Sequence, residues 1–128
     1  MNDPGPTRAR QIARAASAFQ REAAGRSPES VAVALAGTTL VVTLHGALSR
    51  AEQALARTQA GVTLLQDFHR GVFASAGGPL RREVARVTGT EVLETMVEIQ
   101  AATRTVVLVF ALAGTVPPEV WNGPAPGE

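Results

Sequence analysis

The chain has 128 residues, of which 45% are hydrophobic and 18% are charged. These values are typical of one globular domain and exclude a disordered or collagen-like chain. Twelve basic residues, all arginine, and eleven acidic residues give a formal net charge of +1. The absence of cysteine excludes disulfides, thiol catalysis and thiolate metal sites.

Membrane insertion is not expected from the hydropathy pattern. The longest uninterrupted apolar run, 106–113, has the length of one buried strand, whereas a membrane-spanning helix needs about 20 apolar residues. The N-terminal segment also lacks the apolar core of a signal peptide. We therefore expect a cytoplasmic protein with no direct membrane insertion.

The first predicted element is an amphipathic helix over 7–24. Ile12, Ala16 and Phe19 recur at helical spacing, with arginines on the opposite face. Gly25 supplies the stop signal, and Pro28 prevents the helix from continuing. Residues 1–6 are expected to be disordered.

A β-hairpin is predicted next, with strands at 31–36 and 39–45 around Gly37-Thr38. In its first strand Val31, Val33 and Leu35 alternate with alanines, so one face is bulky and the other is slim. The slim face suits the close approach of a helix or of a partner's sheet.

Three helices follow the hairpin. Ser49 and Glu52 have the Ser-x-x-Glu spacing of a capping box, which predicts a helix start at Ser49. The helical pattern continues, with a bend near Gly61, to Gly77-Gly78. A shorter helix begins at Pro79 and ends at Gly89.

The last predicted pair of strands is 92–99 and 105–112. The first carries Glu94 and Glu98 on one face with Met96, a row typical of a solvated edge strand that could also line a groove. The second is apolar on both faces, which is typical of a central strand.

The element order is α-ββ-ααα-ββ, which predicts an α+β fold. We expect a four-stranded, largely antiparallel sheet made of two β-hairpins, with the helices on one face. One domain would span 7–113, and the Pro/Gly-rich tail over 114–128, which contains Trp121, is expected to be loosely held.

No residue pattern in the chain points to catalysis. His45 and His69 lack a second metal ligand at a regular spacing, so we interpret them as a strand end and a helix flank. The serines lie in no G-x-S-x-G turn, and a chain without lysine cannot contain a Walker A motif. The sequence therefore predicts no catalytic residue, no metal and no cofactor.

Arginines on the first and fourth predicted helices raise the alternative of nucleic-acid binding. The eleven acidic residues and the aromatic content of 4% oppose it, because phosphate attraction and base stacking would both be weak. We expect no nucleic-acid partner and interpret these arginines as solvated helix faces.

Arg70 differs from the other arginines because it lies in the most apolar helical stretch. Its guanidinium must reach the surface or find a buried acceptor. An ion pair with Glu52, Glu94 or Asp67 would lock helix to sheet. The alternative is a small-ligand pocket near Arg70 and Glu94.

Taken together, these landmarks resemble a bacterial family named after MpsC, a component of a sodium-translocating, membrane-potential-generating system, to which YbcI-like proteins also belong. The resemblance covers about residues 8–112. It is carried by Gly25-Arg26-Ser27-Pro28, the strand pair 31–44, Leu48-Ser49-Arg50-Ala51-Glu52, Arg70, Thr88-Gly89-x-x-Val92 and the apolar run 107–112.

Two positions depart from the family pattern: Ser27 replaces a glycine in the turn, and Ser49 replaces a threonine at the cap. Both changes preserve the turn and the cap, so the implied fold is unaffected. The structural turn and cap residues are Gly25, Pro28, Ser49 and Gly89.

The resemblance implies a non-catalytic accessory or regulatory protein beside a membrane system that transports an ion or bicarbonate, with a membrane transport protein as candidate partner. The alanine-lined sheet face of a small domain separately predicts a homodimer. A small-ligand sensor with a pocket near Arg70 is the alternative function, and nucleic-acid binding is a third that the charge balance disfavours.

Overall fold

The structure, a computed structural model, describes residues 5–127 of the chain. The sequence-based prediction of disorder at 1–6 falls mostly on residues 1–4, which lie outside the described range. The helices in that range are α1 (Arg8–Ala24), α2 (Arg50–Leu55), α3 (Gln59–Ala76), α4 (Gly78–Thr88) and the short α5 (Pro118–Trp121). The strands are β1 (Ser30–Ala36), β2 (Thr39–His45), β3 (Val92–Gln100) and β4 (Thr105–Leu112).

The four strands form one antiparallel sheet in the order β1-β2-β4-β3. Each hairpin pairs locally, and β2 and β4 join the two hairpins at the centre of the sheet. The predicted α+β class is confirmed, as are the central place of β4 and the edge place of β3.

Local capping explains where the helices begin and end. The Thr7 side chain accepts a hydrogen bond from the backbone N–H of Arg10, which fixes the start of α1. The predicted capping box of α2 is present: Ser49 Oγ accepts from Glu52 N at 3.1 Å, and Glu52 Oε1 accepts from Ser49 N at 2.9 Å. Gly25 and Gly89 end α1 and α4 in the left-handed conformation.

A sharper break than expected separates α2 from α3. The sequence predicts a bend near Gly61, but the helix stops at Leu55 and restarts after Thr58. Gly61 lies where α3 meets the end of α2, and a Cβ there would stand 1.7 Å from the Leu55 carbonyl oxygen. Glycine therefore permits the tight turn that folds α2 back against α3.

The core lies between one face of the sheet and the helices. Its fully buried sheet residues come from the two central strands: Leu40, Val42, Leu44, Val106, Leu108 and Phe110. Ile12 of α1, Phe73 of α3 and Val84 of α4 cover them from the helical side. The Phe73 and Phe110 rings meet edge-on at 6.0 Å, so α3 is anchored over the middle of β4.

The tail is held more firmly than its composition suggests. We expected it to be loose, yet Ala125 N donates to the Pro6 carbonyl at 2.9 Å and Val116 is buried in the core. Trp121 packs against the same core. The tail therefore returns to α1 and closes that side of the molecule.

Candidate functional site

The sheet face turned away from the helices is the first candidate site, and we call it the outer sheet face. Along each strand it alternates with the core face, and its central row runs across all four strands. The face comprises Ala32, Ala34, Ala36, Thr39, Val41, Thr43, Glu94, Met96, Glu98, Val107, Val109 and Ala111.

The outer sheet face exposes apolar side chains to an unusual degree. The central row consists of Ala34, Val41, Val109 and Met96, which the strand register places side by side. Met96 is 62% exposed, Ala34 is exposed, and the two valines are half-buried. Within residues 5–127 the helices pack on the other face, so this row meets solvent.

The acidic residues of the outer sheet face lie together on β3. Glu94, Met96 and Glu98 alternate with core-facing residues, as the sequence predicts, and pair with Ala111, Val109 and Val107 of β4. The face therefore has an apolar centre and one acidic margin.

Arg70 lies beside this margin on α3. Its side chain is 56% exposed, and the carboxylate near its guanidinium is that of Glu98, at 3.9 Å. The described ion pair is thus with Glu98 and not with the expected Glu52, Glu94 or Asp67, because Arg70 reaches the surface over β3. Its role as a ligand-binding residue stays a prediction.

A cavity of about 320 Å³ lies between α3 and β3 next to Arg70. Its lining includes Arg70, Arg81 and Glu98, together with the apolar side chains of Phe73 and Met96. Arg81 also stacks on the Phe73 ring, 5.8 Å from its centroid. The cavity therefore offers two guanidinium groups and one carboxylate, but Glu94 is not among the residues that line it.

Glu52 binds His69, which the sequence-based interpretation placed on a helix flank. Glu52 Oε2 accepts a hydrogen bond from His69 Nε2 at 2.8 Å, and the His69 side chain is 4% exposed. The Phe68 ring packs edge-on against the imidazole at 5.2 Å. The carboxylate thus caps α2 with one oxygen and ties α2 to α3 with the other.

Opposing effects act on the pKa of Glu52. Burial raises it, while hydrogen bonds from Ser49 and His69 and the attraction of His69 lower it. The lowering effects outweigh burial, so the pKa of Glu52 lies below its ordinary 4.5. Glu52 is therefore a carboxylate at neutral pH.

The pairing of His69 could have been found from helix periodicity. Leu65, His69 and Phe73 are spaced by four residues on α3, and all three are buried. Arg70 follows one position later, about 100° around the helix. The buried polar residue of this stretch is therefore the histidine, and the arginine is its exposed neighbour.

Two arginines that we interpreted as solvated helix faces, Arg8 and Arg86, are instead bonded to backbone carbonyls, as is Arg104 in the turn before β4. Arg8 donates to Val87 O, Val120 O and Pro124 O. Arg86 donates to the carbonyls of 126 and 127, and Arg104 donates to Leu48 O and to the Glu29 carboxylate. These guanidinium groups connect segments that are distant in sequence. They do not form a row of free cations that could bind the phosphates of a nucleic acid.

Residues 5–127 contain neither a clustered metal site nor a helix that could span a membrane. No group of three or more His, Asp or Glu side chains in this range is placed to hold a metal ion. None of the helices in this range has the length and apolar character needed to cross a bilayer.

Comparison with known proteins identifies a family. A family model described as Na+-translocating membrane potential-generating system (MpsC) matches residues 7–114, which is most of the chain. No curated protein and no solved structure matches the sequence. The family match confirms the resemblance carried by the turn, cap and strand landmarks.

Proposed function

The chain belongs to the MpsC family, and from that premise we propose that it is a non-catalytic accessory protein that binds a membrane transport protein through its outer sheet face. Two observations support this proposal. The family description names a membrane system that translocates Na+, and the outer sheet face has the composition of a protein-binding surface.

The exposed apolar row is the observation that carries the proposal. Contiguous exposed apolar patches on small domains mark interaction sites, because uncovered apolar area is costly in water. Methionine is common in adaptable binding surfaces, since its side chain is flexible and polarisable. Met96 stands at the centre of the β3 margin with 62% of its area exposed.

The acidic margin indicates the chemistry of the partner. Glu94 and Glu98 are exposed on one side of the apolar row. Cytoplasmic loops of membrane proteins carry an excess of lysine and arginine. A loop that places apolar side chains on the row and basic side chains on the margin would complement this face, which also fits a cytoplasmic site of action.

Photo-crosslinking tests the proposal directly. A photoreactive amino acid at Met96 should crosslink, in the source cell, to a membrane transport protein identified by mass spectrometry. The same group at exposed Arg82, on the helical side, is the matched control and should not give this product. Equal products from both positions, or a Met96 product that contains no transport protein, would contradict the proposal.

Charge reversal tests the acidic margin. Glu94→Arg with Glu98→Arg should reduce the Met96 crosslink at least several-fold, because two attractive contacts become repulsive. Glu91→Arg changes an exposed acid just before β3 and should leave the crosslink unchanged. An unchanged yield in the double variant would remove the electrostatic part of the proposal.

A second candidate function, binding of a small anionic ligand, is favoured by the cavity beside Arg70. Two arginines in a space of about 320 Å³ suit a carboxylate or a phosphate. Citrate and inorganic phosphate are suitable probes in a thermal-shift measurement. Arg70→Ala should abolish any rise in melting temperature that they cause, and no rise with the native chain would exclude binding of either probe.

A further inference from the structure

The two edges of the sheet are protected very differently. On the β3 edge, the Gln66 side chain of α3 binds the backbone: Gln66 Nε2 donates to Val97 O, and Gln66 Oε1 accepts from Ile99 N at 2.9 Å. The strand also has a bulge between Val92 and Glu94. An amide cover, a bulge and charged side chains are devices that prevent an edge strand from pairing with another chain.

The β1 edge has none of these devices. Its sequence is Ser-Val-Ala-Val-Ala-Leu-Ala over Ser30–Ala36, without a charge or a proline, and its register with β2 is unbroken. Among the described residues no side chain is bonded to its backbone as Gln66 is to β3. A seven-residue, uncharged and regular edge strand is a template for pairing.

The hairpin turn determines which backbone groups of β1 point outward. Ala36 pairs with Thr39 across a two-residue turn, with Gly37 at φ 61° in its first central position, as in a type II′ turn. In such a hairpin the pair that closes the turn exchanges both hydrogen bonds, and such pairs recur at every second residue. Ala36, Ala34 and Ala32 therefore bond to β2, and the N–H and C=O groups of Val31, Val33 and Leu35 face outward.

We propose that two copies of this chain pair through their β1 edges, antiparallel and centred on Val33, to form a continuous eight-stranded sheet. In this register Val33 faces Val33 of the second copy, and Val31 faces Leu35. All three outward N–H groups and all three outward C=O groups of each copy are then bonded. A shift by two residues would leave some of them unpaired.

The side chains of β1 fit a second copy of the same strand. Residues directly opposite in an antiparallel pair lie on the same face of the sheet. Val31, Val33 and Leu35 of both copies therefore fall on the helical side, where their half-buried side chains extend the core. The exposed Ala32 falls opposite Ala34 on the outer side, where small side chains allow close approach.

This interface differs from the one expected from the sequence, in which the alanine-lined face itself paired. Edge pairing leaves the outer sheet face of each copy uncovered, so it is compatible with the proposed partner binding. The two proposals can be tested separately, because one concerns backbone groups at the β1 edge and the other concerns side chains on the outer sheet face.

Register-specific disulfide formation is the sharpest test, because the chain contains no cysteine. Ala32→Cys and Ala34→Cys are prepared separately and then mixed under mild oxidation. Residue 32 faces residue 34 of the second copy with about 4.5 Å between Cα atoms, which permits a disulfide, whereas like positions are about 7–8 Å apart. The mixture should form covalent dimers several-fold faster than either variant alone.

Charge pairs at the same positions test the dimer in solution. Sedimentation equilibrium should give a dimer for the native chain. Ala32→Glu with Ala34→Glu places carboxylates opposite each other and should weaken dimerisation roughly tenfold or more. Ala32→Glu with Ala34→Lys carries the same number of substitutions but places opposite charges together, so it should remain dimeric.

Three results would overturn the proposal: a native chain that stays monomeric across the micromolar range, equal dimer affinity in both charge variants, or faster disulfide formation by single variants than by their mixture. Thermal melting of each variant shows that its monomer is folded. A native dimer that crosslinks to itself from Met96, and not through β1, would assign self-association to the outer sheet face.

Discussion

At the scale of single residues, Glu52 connects two helices through one carboxylate. Its Oε1 accepts from the backbone of Ser49, and its Oε2 accepts from His69. The side chain is 22% exposed, so both bonds form in a partly dry setting where an unsatisfied group is costly. This carboxylate therefore links the start of α2 to the middle of α3.

Glu52→Gln should lower the free energy of unfolding by about 1–2 kcal/mol at neutral pH, because charged hydrogen bonds become neutral ones. The folded pKa of Glu52 lies below 4.5, so the stabilisation is complete above that value and is lost as pH falls through the folded pKa. Urea unfolding from about pH 7 to about pH 3 measures this dependence. A difference between the two proteins that stays constant in acid would contradict the assignment, and Glu91→Gln is the exposed control.

Arg70→Ala should change the free energy of unfolding by less than about 0.5 kcal/mol, because its pair with Glu98 is long and solvent-exposed. Arg104→Ala should cost about 1–2 kcal/mol, since it removes bonds to Leu48 O and to Glu29. Chemical unfolding of both variants tests the contrast. A large loss for Arg70→Ala would restore the structural role that the sequence suggested.

At the residue scale, the sequence predicts local contacts but not contacts between residues far apart in the chain. The capping box at Ser49 needs only neighbours three residues apart, so it could be predicted. The pair between His69 and Glu52 spans 17 residues and depends on how α2 folds back at Ala56–Thr58. No local pattern reports that turn.

At the scale of elements, α3 covers one face of the sheet and also satisfies backbone groups at the β3 edge. Gln66 occupies the hydrogen-bonding positions that a fifth strand would use beside β3. The glutamates of β3 allowed its edge position to be predicted, but Gln66 lies 31 residues from Val97, so its role required the tertiary structure.

Gln66→Leu should lower the free energy of unfolding by about 1–2 kcal/mol, because Val97 O and Ile99 N lose their partner. It should also raise the rate of aggregation, since a second sheet edge becomes available. Chemical unfolding and light scattering measure the two effects. Gln59→Leu, at the exposed first residue of α3, makes the same substitution away from the sheet edge. It should change neither the free energy of unfolding nor the rate of aggregation.

At the scale of the whole molecule, the two ends of the described chain close on each other. Thr7 bridges to Pro124, Ala125 bonds to Pro6, and the Arg8 guanidinium lies among three carbonyls of α4 and the tail. The prediction of a loose tail followed from its proline and glycine content. Composition could not show that Arg8 supplies donors to carbonyls more than 100 residues away.

Arg8→Met should release the tail while leaving the sheet folded. The expected cost is about 1–2 kcal/mol, because a part-buried guanidinium loses three carbonyl partners. Trp121, the single tryptophan, packs against the core and reports the change as a red shift of its fluorescence. Arg10→Met, two residues away and exposed, is the control. An unchanged emission in Arg8→Met would contradict the role of Arg8 in holding the tail.

The pairing of β2 with β4 has a consequence for how the chain is made. About 60 residues separate the two strands, and synthesis proceeds at roughly 5–20 residues per second. The first hairpin is therefore synthesised about 3–12 s before β4, the strand that pairs with β2. During that interval β1 and β2 both have an edge of unpaired backbone groups. The nascent hairpin is therefore more prone to pair with other chains than the completed sheet is.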